Sequence, residues 1–564
     1  MIYGGDINIM KKEFRANYTL VGNAVYGEGF EEDLKKLGDK FKFEKISDNF
    51  GILFIENNEF NNFEDVFNLK SLHRLEPSVR LASLVNINRG TFNGVVANED
   101  IGANFIKDNP NISISGRGVI IGIADSGIDY LHPDFIYPDK TSKILYLWDQ
   151  TKEGKPPNGF HIGTEYNRED INKAILEEDS SLSVDEEGTG TMVSGICAGL
   201  GNLNPEYKGV AEESDLIIVK LKKVENDYNN GYLIAAMEYM YQKARQEGKP
   251  LVNNISLGNN SLVGISSRLS SDKLFFEHGL CQVIGAGNEG NTQTHASGKL
   301  GFDGEIQDVE IDIGEDEEIL NIELWVNRPD KIDLYIISPS GEESQLALVS
   351  NFNIISGLFN FENTRYTISF SYPFSYSGQQ RTVITLANAK KGIWKIRLIG
   401  AYITNGIYNM YLENRKFIKP GTKFSKSDPE NTINYPSTLN DVISVGAYDT
   451  ISNSLWASSS RGPTIESVLK PDIVAPGVNI IGTYINKTYA TGTGTGIASA
   501  YTSGAVALFL QYIQVNGNYE NKAFVQKIRT YLTAGARRNQ DVVYPNYSYG
   551  YGELDIRGLF EQLR

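Results

Sequence analysis

The spacing of apolar residues changes character three times along the chain, and each change marks a different kind of structure. Near the start, "FEEDLKKLGDKF" sets apolar residues at helical intervals, while "NFGILFIENNEF" alternates apolar and polar positions as a strand does. The pattern predicts a small α+β unit over residues 1–87, closing in the apolar and basic tail "LHRLEPSVRLASL", which reads as extended chain. From "SGRGVIIGIADSGIDYLHPDF" onward the runs "GVIIGIAD", "SDLIIVKL", "LVNNISLG" and "LCQVIGAG" are short, apolar throughout and closed by polar residues or glycine. Such runs are parallel strands buried on both faces. With helical segments such as "GYLIAAMEYMYQKARQEG" between them, they predict an α/β unit with helices on both faces of a parallel sheet, and sites at the carboxyl ends of its strands. Over 299–430 the helical signal stops, and "DVEIDIGEDEEILNIELWV", "KIDLYIISPSGEES", "RTVITLA" and "GIWKIRLIGAY" alternate with period two, an inserted antiparallel β-sandwich. "DVISVGAYD" and "PDIVAPG" then resume buried strands, and Ala498–Gln514 is an apolar helix rich in small residues, expected in the core. The predicted organisation is therefore 1–87, 88–298, 299–430 and 431–564, the second and fourth segments forming one α/β unit.

Composition narrows the function classes. A chain of 564 residues exceeds one compact core, and 41% hydrophobic with 22% charged residues is ordinary for a soluble protein. A formal charge of −17 opposes nucleic acid and anionic membrane surfaces as partners. Cys197 and Cys281 both lie in apolar segments and read as buried thiols; no disulfide framework, metal site or cofactor is expected. "MIYGGDINIMKKEF" meets charge before an apolar signal core can form, and no run approaches ~20 consecutive apolar residues, so cytoplasmic synthesis and no membrane span are expected.

The candidate chemistry lies in four segments: "IADSGIDYLHPDF" with Asp125 at a strand end, "GTGTMVSG" with Thr189, "GAGNEG" with Asn288, and "TGTGIASA" with Gly496. In this order they resemble the D-S/T-G, G-H-G-T-H-V-A-G, oxyanion-asparagine and G-T-S-M-A-S/T-P motifs of the subtilisin-like serine proteases. "NNISLG", carrying Ser256, Leu257 and Gly258, resembles that family's substrate-binding strand, and "SSSRGP" with "KPDIVAPG" resembles the run before its nucleophile. The resemblance implies a subtilisin-like fold with Asp125 at the aspartate position and Asn288 at the oxyanion position. It also places Thr189 where the family has its histidine and Gly496 where it has its serine; Met192 and Ala500 depart from the motifs too.

A serine is a weak nucleophile until a histidine takes its proton, and the aspartate orients that histidine. Threonine offers no basic nitrogen and glycine no side chain, so the expectation is a degenerate triad with no active catalytic residue. His73, His132, His161, His278 and His295 stand at no motif position. Thr189, Thr493 and Thr495 lack a neighbouring amine to act as base; Thr189 and Thr495 are expected to cap or begin helices, and Gly492, Gly494 and Gly496 to form a tight turn.

An N-terminal unit and an inserted β-sandwich resemble the Csp germination proteases of clostridial spores, nearest to their broken-triad CspC-type members, with CspA-type ones second. That resemblance implies a propeptide-like first unit, here expected to stay uncleaved near Leu84 to Val96, and a jelly-roll insert. It implies a pseudoprotease of spore germination, made in the sporulating cell and resident in the spore's cortex or coat region. Such a protein senses a bile-acid or amino-acid germinant, or relays its signal, to a Csp protease that activates the pro-form of the cortex hydrolase SleC. A scaffold for a partner protease and a serine peptidase of unusual mechanism remain the alternatives. Calcium occurs in subtilisin-like folds, but no compact acidic loop here predicts a site.

Overall fold

The computed structural model describes residues 18–563 except 39, 57–63, 77, 90–93, 108, 110–111, 225, 265–276, 351, 376 and 519–522. The first unit is an antiparallel sheet in the order Phe41–Ser47, Phe50–Glu56, Tyr18–Tyr26, Leu72–Glu76. Its helix Phe30–Lys36 turns Phe30 and Leu34 onto one face of the sheet, where they join Ala24, Tyr26 and Leu53 in a small core. The helix in "FEEDLKKLGDKF" and the strand in "NFGILFIENNEF" are both present; residues 57–60 of the latter lie outside the described residues. The sheet's other face sends Ile46, Ile52 and Phe54 into a second core with Trp148, Tyr232 and Tyr239 of the α/β unit.

The α/β unit is built on a nine-stranded sheet, with a path that runs Ser454–Leu455, Ile443–Asp449, Leu280–Gly285, Leu251–Ile255, Ile120–Asp125, Asp215–Lys220, Ile144–Asp149, Thr164–Asn167, and with Ile473–Pro476 beside Ile443–Asp449. Its inner pairings are parallel; Thr164–Asn167 and Ser454–Leu455 are antiparallel edges. Helices Thr189–Ala198 and Thr495–Leu510 cover one face, and Asn230–Glu247 the other. Strands buried on both faces need apolar residues at consecutive positions, which is why Ile120–Asp125 and Leu280–Gly285 are buried throughout. With its π-helical continuation Gln511–Val515, helix Thr495–Leu510 is long and apolar enough to cross a bilayer. A count of consecutive apolar residues misses this because serine, threonine and glycine are interspersed. Every residue of Thr495–Leu510 is buried against the sheet, so its apolar surface is protein core.

The inserted unit is two antiparallel sheets closing on a third core that contains Leu320, Ile384, Trp394 and Phe424. The six-stranded sheet begins with His295–Lys299, which pairs with Ile407–Leu412. Its outer face docks on the α/β unit: Trp325 joins the second core, and beside it a buried Arg381–Glu323 ion pair closes at 2.7 Å.

A cleft filled by its own chain

Asp125 is the last residue of the central strand Ile120–Asp125 and is 1% exposed. Its Oδ1 accepts a hydrogen bond from Thr189 Oγ1 at 2.5 Å and one from the Ser126 backbone N–H at 2.7 Å; its Oδ2 accepts from Ser256 Oγ at 2.5 Å. Both carboxylate oxygens are thus engaged by hydroxyls, and neither faces a base. Thr189 opens helix Thr189–Ala198, as expected, but does not cap it. The cap is Gly188, and the helix's first N–H groups are met by Asp185, whose carboxylate accepts from Gly188 N at 2.8 Å and Thr191 N at 3.0 Å. That frees the Thr189 hydroxyl for Asp125. Among the described residues no histidine side chain hydrogen-bonds to Asp125, Thr189 or Ser256; buried His132 holds the turn after the aspartate strand by bonding Thr488 O and accepting from Asp134 N.

Burial pushes the Asp125 carboxyl up to about 6, against the pull of the bonds from Ser256, Thr189 and Ser126. Because the folded state then binds this proton more tightly than the unfolded chain, the group's contribution to stability falls as pH rises from about 4 to about 6 and stays low above that. Asp125→Asn removes the slope. Paired thermal unfolding should show the variant gaining on the wild type by ~2 kcal/mol between pH 4 and pH 7.5; curves that stay parallel would contradict the assignment.

Across the cleft stands a segment of the chain itself. Arg80–Ser83 runs antiparallel between Asp227–Asn229 and Leu257–Gly258, with Leu81 opposite Tyr228 and Ser83 opposite Leu257. Leu84 N donates to Ser256 O at 2.7 Å, and Asn86–Asn88 continues antiparallel to Thr488–Thr493. Ser256, Leu257 and Gly258 therefore do border an extended ligand strand, and that strand is residues 80–88. The Leu84 carbonyl accepts from Asn288 Nδ2 at 3.0 Å and from Gly496 N at 3.2 Å. Two converging donors on one carbonyl oxygen are the arrangement that stabilises an oxyanion in acyl transfer. Asn288 is held in turn by Thr495, whose N and Oγ1 both donate to its Oδ1 at 3.0 Å.

Glycine at 496 places no side chain beside that carbonyl. Gly496 lies in the first turn of helix Thr495–Leu510, and a Cβ there would come 2.8 Å from Ser256 Cβ and Val85 Cγ2, and 3.2 Å from the Leu84 carbonyl carbon. The expected tight turn of three glycines is found at one of them only: Gly494 has φ 148°, Gly492 sits in the strand Thr488–Thr493, and Gly496 is helical. Gly496 is accommodated by close approach, not by its backbone angle. Thr495 begins the helix without capping it.

Sequence reasoning did not find the pairing that anchors the segment. Arg80 reaches Glu413 and, at 3.2 Å, Asp227, and its guanidinium lies 4.5 Å from the Phe417 ring; Lys416 Nζ donates to Ser83 O at 2.6 Å. Glu413, Lys416 and Phe417 follow the last long strand of the insert, Ile407–Leu412. Among the described residues no three His, Cys, Asp or Glu side chains are grouped to hold a metal ion.

The subtilase family model matches residues 116–309 and 414–552, more than half of the chain and on both sides of the insert. The chain belongs to the subtilase family. Subtilisin DY of Bacillus licheniformis is 40% identical to this subtilase over 131 residues, 23% of this chain and 41% of that protein. The subtilisin-like protease SBT3 of Solanum lycopersicum is 26% identical over 444 residues, 70% of this chain and 54% of that one. The matches thus span about half or less of these relatives' own lengths. The solved structure of the CspB protease of Clostridium perfringens superposes with a TM-score of 0.75 at 27% identity, covering 83% of this subtilase and 97% of that chain. The similarity to CspB extends well beyond the two matched segments.

Proposed function

We propose that this subtilase is a pseudoprotease of the Csp branch, nearest to the CspC type, acting in bacterial spore germination without cleaving peptides. The observation that carries the reading is the unopposed Leu84 carbonyl: its two oxyanion donors are in place, while Thr189 and Gly496 supply neither base nor nucleophile. In subtilisin, loss of either the serine or the histidine lowers turnover by about 10⁶, nearly as much as loss of the whole triad. The first unit then acts as a propeptide-like chaperone that stays attached, and the jelly-roll insert clamps its tail. With the cleft occupied by residues 80–88, a Csp protease or pro-SleC meets other surfaces, and a germinant, whether bile acid or amino acid, acts by shifting the balance between two states. The spore is the compartment this role implies.

A fluorophosphonate serine probe tests the loss of catalysis. No labelling above that of the heat-denatured protein is expected at any serine, including Ser256. Stoichiometric labelling of one serine would overturn the reading.

A further inference from the structure

A cavity of about 450 Å³ opens on the outer face of the insert's six-stranded sheet, on a different unit from the triad positions. A volume of this size accommodates a small ligand. Ile319, Leu358 and Ala387 form an apolar wall, Thr367 and Thr385 bring hydroxyls, and Arg365 brings the one charge of the lining. Arg365 is exposed and makes no ion pair with a described residue, whereas Arg80, Arg381 and Arg397 of this chain are each paired with a carboxylate. An unpaired guanidinium beside an apolar wall, with no acidic group in the lining, matches a molecule with an anionic head and an apolar body.

The cavity is also connected to the cleft. Thr385 Oγ1 donates to Asn321 Oδ1 at 2.8 Å, Asn321 Nδ2 donates to Glu413 Oε2 at 3.1 Å, and Glu413 Oε1 holds Arg80 of the docked segment. All four side chains are buried, so the chain of bonds is shielded from solvent. We propose that this cavity binds a small amphipathic anion, carrying a carboxylate or sulfonate, and that its occupancy is felt at residues 80–88 through Thr385, Asn321 and Glu413. An anion held by Arg365 competes with Asn321 for the Thr385 hydroxyl and loosens the hold on Glu413. The site is separate from the triad positions, and the proposal does not rest on the loss of catalysis.

The test uses the full chain with 8-anilinonaphthalene-1-sulfonate and its uncharged relative N-phenyl-1-naphthylamine as probes. Saturable fluorescence enhancement is expected, with the sulfonate at least tenfold tighter. Arg365→Gln should erase that preference, and Ala387→Trp, which fills the cavity, should remove the binding of both. Absence of saturable binding, or a preference unchanged in Arg365→Gln, would overturn the site. The link is read by limited proteolysis between residues 84 and 96: the sulfonate should speed cleavage severalfold in the wild type and leave Thr385→Val unchanged. Equal acceleration in both proteins, or none in the wild type, would overturn the connection. None of these readouts measures peptidase activity, so their failure is distinct from failure of the pseudoprotease reading.

Discussion

Thr189→His combined with Gly496→Ser should cut the chain between Leu84 and Val85. The site of cleavage follows from geometry: the Leu84 carbonyl oxygen is the one that receives the Asn288 and Gly496 hydrogen bonds, and a Cβ at 496 points at its carbon from 3.2 Å. A histidine at 189 starts from the first residue of helix Thr189–Ala198, beside Asp125 Oδ1, where the threonine hydroxyl now sits. The same Cβ crowds Val85 Cγ2 and Ser256 Cβ at 2.8 Å, so the serine presses on an intact junction and is relieved when Val85 departs. Each single substitution should leave the chain whole, because the serine and the histidine act as a unit and the loss of either nearly equals the loss of both. Gly496→Ala isolates the steric part, and should lower stability by ~1–3 kcal/mol with no cleavage. Intact mass after purification reads the result; an uncut double variant that keeps the wild-type melting temperature would mean that the hydrogen bonds to Leu84 do not prepare it for attack.

Arg80→Ala is the second large effect. Its partner Glu413 is 3% exposed, and without the guanidinium its carboxylate keeps, among the described residues, only the Asn321 amide as a donor. Leaving a buried charge unpaired costs far more than the pair itself contributes, ~3–5 kcal/mol. The loss falls on the clamp over the docked segment, so thermal unfolding should shift down and proteolysis between residues 84 and 96 should accelerate together. A lowered melting temperature with unchanged proteolysis there would place the damage elsewhere.

What the chain showed in its sequence and what it withheld divide along a physical line. Period-two alternation located the sandwich, and continuous apolar runs located the buried strands, because both are set by which faces meet water. Asp125 at a strand end and Thr189 at a helix start were legible for the same reason. The role of Leu84 was not, since it depends on where a tail lands after two units dock. Arg80 and Glu413 are 333 residues apart and meet only through the insert. The reason for glycine at 496 is also tertiary: "TGTGTG" looks like a turn, yet only Gly494 has a backbone angle that favours glycine, and Gly496 answers to Ser256, Val85 and Leu84 packed against it. Ser256 read as part of a substrate strand, and its second task, holding Asp125, arises because it follows a strand that pairs in parallel with the one Asp125 ends.

On the proposed reading, this subtilase cleft serves as a fastening for residues 80–88. The donors for a tetrahedral intermediate hold a ground-state carbonyl, and the aspartate that would orient an imidazole ties two hydroxyls. A cleft so occupied shares its stability with the segment inside it, and loss of Arg80 should therefore be felt in both.

The most direct measurement is the intact mass of the purified wild-type chain after prolonged incubation at its most stable pH, with other proteases inhibited. The account predicts one species of full length, with the Leu84–Val85 bond unbroken. Accumulation of a fragment beginning at Val85, at a rate independent of protein concentration, would show that the chain still cuts itself and would contradict the claim that its catalytic site is dead.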